Sequence, residues 1–322
     1  LMCKECPISN YTDQSKQKSC KPCGKEETSE NGSTFCTKCD AGQFMSTDKV
    51  CTPCALGTVS TYGQRSCKDC TAGYYTNDDN STCDACPHGK YLDQHLQTSV
   101  ESCRNCTHGR YSSATGVSSA ILCNACSAGK YSQEAGMIKE DACKECVAGK
   151  HQVISGNETC LLCKVGLYMK GNGAVNCLPC IPGMYANDTG SEACKVCDKG
   201  KHQDVSGNKT CLSCKVGQYT NGVGAVNCLD CNSGSYQNEL GQVKCKSCDL
   251  GFYQEAMGNT TCRDCPKGFF NKAQRSTSCN AVPPGFYNVN GTSTKCDPGY
   301  FCEGEAANQT ACSPGFYATK PG

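Results

Sequence analysis

Apolar side chains along this chain come singly, at fixed places, and not in runs. The strings Cys86-Pro-His-Gly89-Lys-Tyr91, Cys106-Thr-His-Gly109-Arg-Tyr111 and Cys126-Ser-Ala-Gly129-Lys-Tyr131 show the pattern. A glycine follows a cysteine by three positions, and an aromatic follows the glycine by two. A polar stretch then leads to a C-x-x-C pair. The aromatic slot also holds Tyr75, Tyr168, Tyr185, Tyr219, Tyr236, Tyr253 and Phe270. No window repeats its apolar residues at helical spacing over a useful length. The pattern predicts a tight turn with its glycine at positive φ. A short extended segment follows, whose aromatic rests on the disulfide of its own or the next repeat. A second turn, marked by Ser155-Gly156-Asn157 or Asn221-Gly222, precedes a second short strand. The expected fold class is small, disulfide-rich and β-leaning: an elongated, solenoid-like tandem array of ~17-residue, one-disulfide repeats with little helix.

The beat of the cysteines divides the chain. Sixteen C-x-x-C pairs run from Cys3/Cys6 to Cys262/Cys265. Residues 1–82 carry short repeats of 15–17 residues, and 83–142 carry three 20-residue repeats. Residues 143–278 keep a regular 17-residue beat, and 279–322 diverge. Within the regular segment, 143–193 closely resembles 194–244, a duplication of three repeats. In the last segment Val282 stands where the second cysteine of a pair belongs, and Cys296 lacks its expected partner. Cys296–Cys302 would repair the loss, with Cys302–Cys312 as its competitor. Cys3 looks upstream, and the array is expected to continue beyond this chain.

Cysteine is 36 of 322 residues, a density that marks a covalent scaffold. A repeat this short cannot bury a core alone, so each needs a staple and a neighbour. The simplest frame joins the second cysteine of one pair to the first of the next. It gives Cys6–Cys20, Cys23–Cys36, Cys39–Cys51, Cys54–Cys67, Cys70–Cys83, Cys86–Cys103, Cys106–Cys123 and Cys126–Cys143. It continues with Cys146–Cys160, Cys163–Cys177, Cys180–Cys194, Cys197–Cys211, Cys214–Cys228, Cys231–Cys245, Cys248–Cys262 and Cys265–Cys279. A rival frame links whole pairs two by two, through crossed disulfides or zinc. Duplicating three repeats would invert partners in that rival and leaves the one-repeat frame intact.

The compartment follows from asparagine. Ten of 21 Asn residues lie in N-x-S/T sequons: Asn10, Asn31, Asn80, Asn105, Asn157, Asn187, Asn208, Asn259, Asn290 and Asn308. Together with cysteine density they point to N-linked glycans on a secreted or cell-surface protein. The competing reading is that Asn and Thr merely suit a turn that duplication has copied. Net charge is +1, and Lys and Arg are interspersed with Asp and Glu. That distribution argues against nucleic acid and against a polybasic membrane patch. No stretch has the length and apolarity of a membrane-spanning helix.

The string C-x-x-G-x-Y…C-x-x-C resembles the one-disulfide module of the tumour necrosis factor receptor and ephrin-receptor-like cysteine-rich families. The resemblance covers nearly the whole chain. It implies the bridging frame given first above and an extracellular setting. The run of tandem C-x-x-C repeats, without alternating two-disulfide modules, is similar to protist surface proteins of the ciliate immobilisation antigen type.

Chemistry is sparse. The five histidines are His88, His95, His108, His151 and His202, and the last two occupy the aromatic slot. No Ser/His/Asp set, phosphate loop or dinucleotide fingerprint occurs, and carboxylates are scattered. The expectation is a protein with no enzymatic activity, no cofactor and no metal site. It would be a disulfide-stapled, glycosylated rod forming a stalk, coat or filament, with self-association or further copies of the repeat as its partners. A receptor-type ectodomain binding a protein ligand is the alternative, with repeats 83–142 as its place.

Overall fold

The computed structural model describes residues 2–320. Its regular secondary structure is almost entirely two-stranded antiparallel sheets, each a hairpin within one repeat, joined by turns and irregular chain. The chain divides into two compact halves. One is Leu1–Leu161 with Asn172–Asn176, and the other is Leu162–Gly171 with Cys177–Gly322. Among the described residues no helix is long and apolar enough to cross a membrane.

The repeat beginning at Cys197 shows how sequence becomes structure in the C-terminal half. Gly200 takes φ +77°, which reverses the chain at once after the cysteine. Lys201–His202 then pairs antiparallel with Leu212–Ser213. The Cys214 N–H closes the hairpin on the Gly200 carbonyl at 2.9 Å. Strands of two residues cannot stand alone. Three bonds to the next repeat complete them: Gly200 N–H to Thr220 O at 2.9 Å, Gln203 N–H to Ala225 O at 3.0 Å, and Gly224 N–H to Cys197 O at 2.7 Å.

The N-terminal half repeats the same scheme. Gly89, Leu92 and Gly116 donate to Ser112, Val117 and Cys86 at 2.9, 2.9 and 2.8 Å. Each repeat therefore satisfies its backbone through its successor. The second turn uses a different glycine from the one the dipeptide Asn221-Gly222 suggested. Gly224, at φ +69°, makes the turn, whereas Gly222 stays outside the left-handed region.

The 20-residue repeats accommodate their extra length locally. Val100–Ser102, Ala120–Leu122 and Glu140–Ala142 each form a single 3₁₀ turn that ends on the first cysteine of a pair. The disulfide loop grows from a separation of 14 to 17 while the hairpin registers are kept. Three added residues match one 3₁₀ turn, so the insertion leaves the stapled geometry alone.

The divergent end keeps the backbone scheme without its staple. Val282 is 1% exposed. Its N–H reaches Gly268 O at 2.9 Å and its carbonyl accepts from Glu305 N–H at 2.8 Å. Cys248 plays the same two parts toward Gly234 and Arg275. The hairpin that follows is longer than its neighbours: Phe286–Val289 pairs with Thr292–Lys295 over four positions around Asn290 and Gly291, both at positive φ.

That hairpin is also shorter in loop, which shifts Cys296. Its N–H bonds to Gly285 O at 3.1 Å, so it fills the second-cysteine slot, where the spacing suggested the first. Cys296 is joined to Cys302. Among the described residues Cys3 and Cys312 are unpaired thiols.

Candidate interaction surface

Second cysteines form the interior. Cys146, Cys163, Cys180, Cys197, Cys214, Cys231 and Cys248 are all fully buried. The structure joins each second cysteine from Cys6 to Cys265 to the next first cysteine, sixteen bridges from Cys6–Cys20 to Cys265–Cys279. Their Cα atoms lie 5.4–6.0 Å apart, within the ordinary disulfide range. The aromatic of one repeat packs on the disulfide of the next. Tyr75 lies on Cys86 and Cys103, Tyr91 on Cys106 and Cys123, and Tyr111 on Cys126 and Cys143.

A slot that sequence reasoning passed over lies six residues after each second cysteine. It is buried in most repeats, and in several of them it is polar: Gln152, Gln203, Gln237, Gln254 and Asn271 are 1–3% exposed. Each glutamine spans its own loop. Gln203 donates from Nε2 to Thr210 O at 2.7 Å, and its Oε1 accepts from Val205 N–H at 3.1 Å. Gln152, Gln237 and Gln254 repeat both bonds. Asn271 instead reaches back one repeat, accepting from Gly251 N–H at 2.8 Å and donating to Phe252 O at 2.6 Å. No buried side-chain polar atom among the described residues lacks a partner. Cys302 occupies this same slot, and its carbonyl accepts from Gly285 N–H. A recurrence of Gln at Cys+6 was the available signal.

None of the ten sequon asparagines is buried. Asn31, Asn105, Asn187, Asn290 and Asn308 are exposed, and Asn10, Asn80, Asn157, Asn208 and Asn259 are half-buried. Four of the half-buried set, Asn10, Asn157, Asn208 and Asn259, use their amide locally: Asn208 Nδ2, for example, donates to Gln203 Oε1 at 2.9 Å. Asn187 is held the other way, its Oδ1 accepting from Lys195 Nζ at 2.8 Å.

Cross-hairpin ion pairs decorate the outer strands: Lys195–Asp188 at 3.3 Å, Lys246–Glu239 at 2.7 Å and Arg263–Glu255 at 2.7 Å. All are exposed and contribute little to stability. The Lys21 ammonium, bonded to the Asp13 carboxylate, holds that carboxyl below its ordinary value, while Lys21 itself is raised by the same bond. Burial, reinforced by Glu140, pushes the Tyr111 phenol up.

His202 Nδ1 lies 3.1 Å from Cys228 Sγ, and with Cys214 it forms a compact His/Cys/Cys group. The two sulfurs are bonded to each other, so neither is the thiolate that metals require. The duplicate, His151, turns its Nδ1 to Val175 O at 3.2 Å. The clefts on the surface are small, open and repetitive. One of about 300 Å³ is lined by Tyr236, Phe252 and Cys262, and another of about 250 Å³ by Tyr131, Val147 and Cys160. Both are the seam between an aromatic and the following repeat.

A tandem series of hairpins, each closed by one disulfide and completed by its neighbour, defines a cysteine-rich repeat protein of an extracellular type. The family described as tyrosine-protein kinase ephrin type A/B receptor-like matches residues 57–103, 149–193, 183–231, 217–260 and 234–281. These matches cover more than half of the chain, which belongs to that family. No curated protein matches the chain.

Proposed function

We propose that this protein is a non-catalytic extracellular structural protein, a glycosylated, disulfide-stapled array that serves as a stalk, coat or filament. The observation that carries this reading is the equivalence of the repeats. The same glycine turn, closing hydrogen bond and link to the successor recur along each half, and the seam clefts recur with them. A bridge closing each loop of 12–17 residues contributes roughly 3 kcal/mol by constraining the unfolded chain. Such stability is local to every repeat and suits a protein under load or exposed to proteases. The ten sequons, none buried, supply a glycan coat. Electron microscopy of native, unreduced material tests the reading. Fibres with a regular axial repeat support it, and isolated particles that capture a soluble partner overturn it.

A second reading, a receptor-type ectodomain, is favoured by one observation. The 3₁₀ turns of the 20-residue repeats present Val100, Ile121 and Leu122 to solvent, Ile121 at 81% exposure. Asn105 is the one sequon between Asn80 and Asn157. Replacing Ile121 and Leu122 with Ser would abolish partner binding in this reading and leave assembly unchanged in the first.

A further inference from the structure

Four Asn-Gly steps occur in the chain: Asn31-Gly32, Asn172-Gly173, Asn221-Gly222 and Asn290-Gly291. The asparagine of such a step can lose its side-chain amide without any enzyme. The following backbone nitrogen attacks the asparagine Cγ, and ammonia leaves as a five-membered succinimide closes. Water then opens the ring to aspartate or to the isoaspartyl isomer. The net change is amide plus water to carboxylate plus ammonia, with no redox partner. Glycine permits the approach because it has no Cβ to block it. The step requires that the glycine N–H be unengaged and the local backbone free to turn.

Three of the four steps fail that requirement. Gly32 N–H is bonded to Cys6 O at 2.9 Å, Gly173 N–H to Cys146 O at 2.7 Å, and Gly291 N–H to Asn288 Oδ1 at 3.1 Å. All three glycines sit in left-handed turns, at φ +73°, +69° and +79°. Asn172 is held further, its Oδ1 accepting from Ala148 N–H at 3.2 Å. Gly222 differs on every count. Its N–H makes no hydrogen bond among the described residues, and its φ lies outside the left-handed region. A methyl group built on its Cα would meet nothing within 4 Å. Asn221 and Gly222 are both exposed.

We propose that Asn221 is a site of spontaneous covalent modification, converted through a Gly222 succinimide to aspartyl and isoaspartyl forms while the other Asn-Gly steps are protected by the fold. The product adds a carboxylate to the outer turn. The isoaspartyl form also adds a backbone carbon between Thr220 and Gly224. Those residues donate to Gln242 O at 3.2 Å and to Cys197 O at 2.7 Å, two links to neighbouring repeats.

The test is incubation of the native, unreduced protein at 37 °C and mildly alkaline pH, followed by peptide mapping by mass spectrometry with isoaspartate detection. Asn172 is the internal standard, because it lies in no sequon and no glycan can shield it. The expected result is conversion of Asn221 several-fold faster than Asn172 in the folded protein. The two rates converge once the chain is reduced and denatured. Gly222→Ala, which fits the open turn, slows Asn221 alone. Equal rates at Asn221 and Asn172 in the folded protein overturn the proposal, as does an inert Asn221.

Discussion

At the scale of the residue, glycine carries two burdens at one position. Gly200 needs positive φ for the first turn, and a Cβ there would also overlap the carbonyl oxygen of Gly241, two repeats ahead. Gly200→Ala is therefore expected to destabilise its repeat by at least the ~1–2 kcal/mol of left-handed strain, with the overlap in addition. Gly222→Ala is expected to leave stability unchanged, and parallel thermal melts separate the two. Gln203→Ala removes the clamp across its loop and strands the Thr210 carbonyl and the Val205 N–H. The expected loss is ~1–3 kcal/mol, read by denaturant unfolding. Asp13 titrates below its unfolded value because Lys21 is bonded to it. Its ion pair thus stabilises above the unfolded carboxyl pKa, and that contribution disappears as pH falls through the lower folded value. Lys21→Ala is expected to raise the Asp13 pKa toward the ordinary carboxylate range, measurable by NMR titration.

At the scale of the element, the staple and the hairpin trade against each other. Ordinary repeats pair two or three residues per strand and carry a disulfide. The hairpin Phe286–Lys295 pairs four and carries none across it. Ladder bonds and a two-residue Asn-Gly turn replace covalent closure there. Hydrogen exchange with and without a reductant checks this. Reduction is expected to cost the stapled hairpins protection equivalent to about 3 kcal/mol and to leave 286–295 nearly unchanged. The aromatic slot was legible because Tyr recurs at Cys+5, but its partner was not. Spacing allows Tyr91 to lie on its own or the next bridge, and packing chooses Cys106–Cys123. At the Cys+6 slot the recurrence was legible but the burial was not, for a different reason. A buried glutamine looks like surface until its loop is closed around both ends of its amide.

At the scale of the whole molecule, backbone pairing links each repeat to its neighbours within a half. Thermal unfolding is expected to be broad and non-cooperative, with calorimetric and van't Hoff enthalpies that disagree. A compact two-state transition would contradict this. The sequence alone determined the repeat, its period and the first-turn glycine, and it favoured the one-disulfide frame over its rival, because each rests on local chain geometry and on spacing that duplication preserves. The tertiary structure decided what depends on who stands beside whom. It places Tyr75, Tyr91 and Tyr111 on the following disulfide and makes Gly224 the turn where Asn221-Gly222 was the cue. It also sets Cys296 in the second-cysteine slot, because the backbone ladder to the neighbouring repeat, and not the count of residues between cysteines, fixes the register.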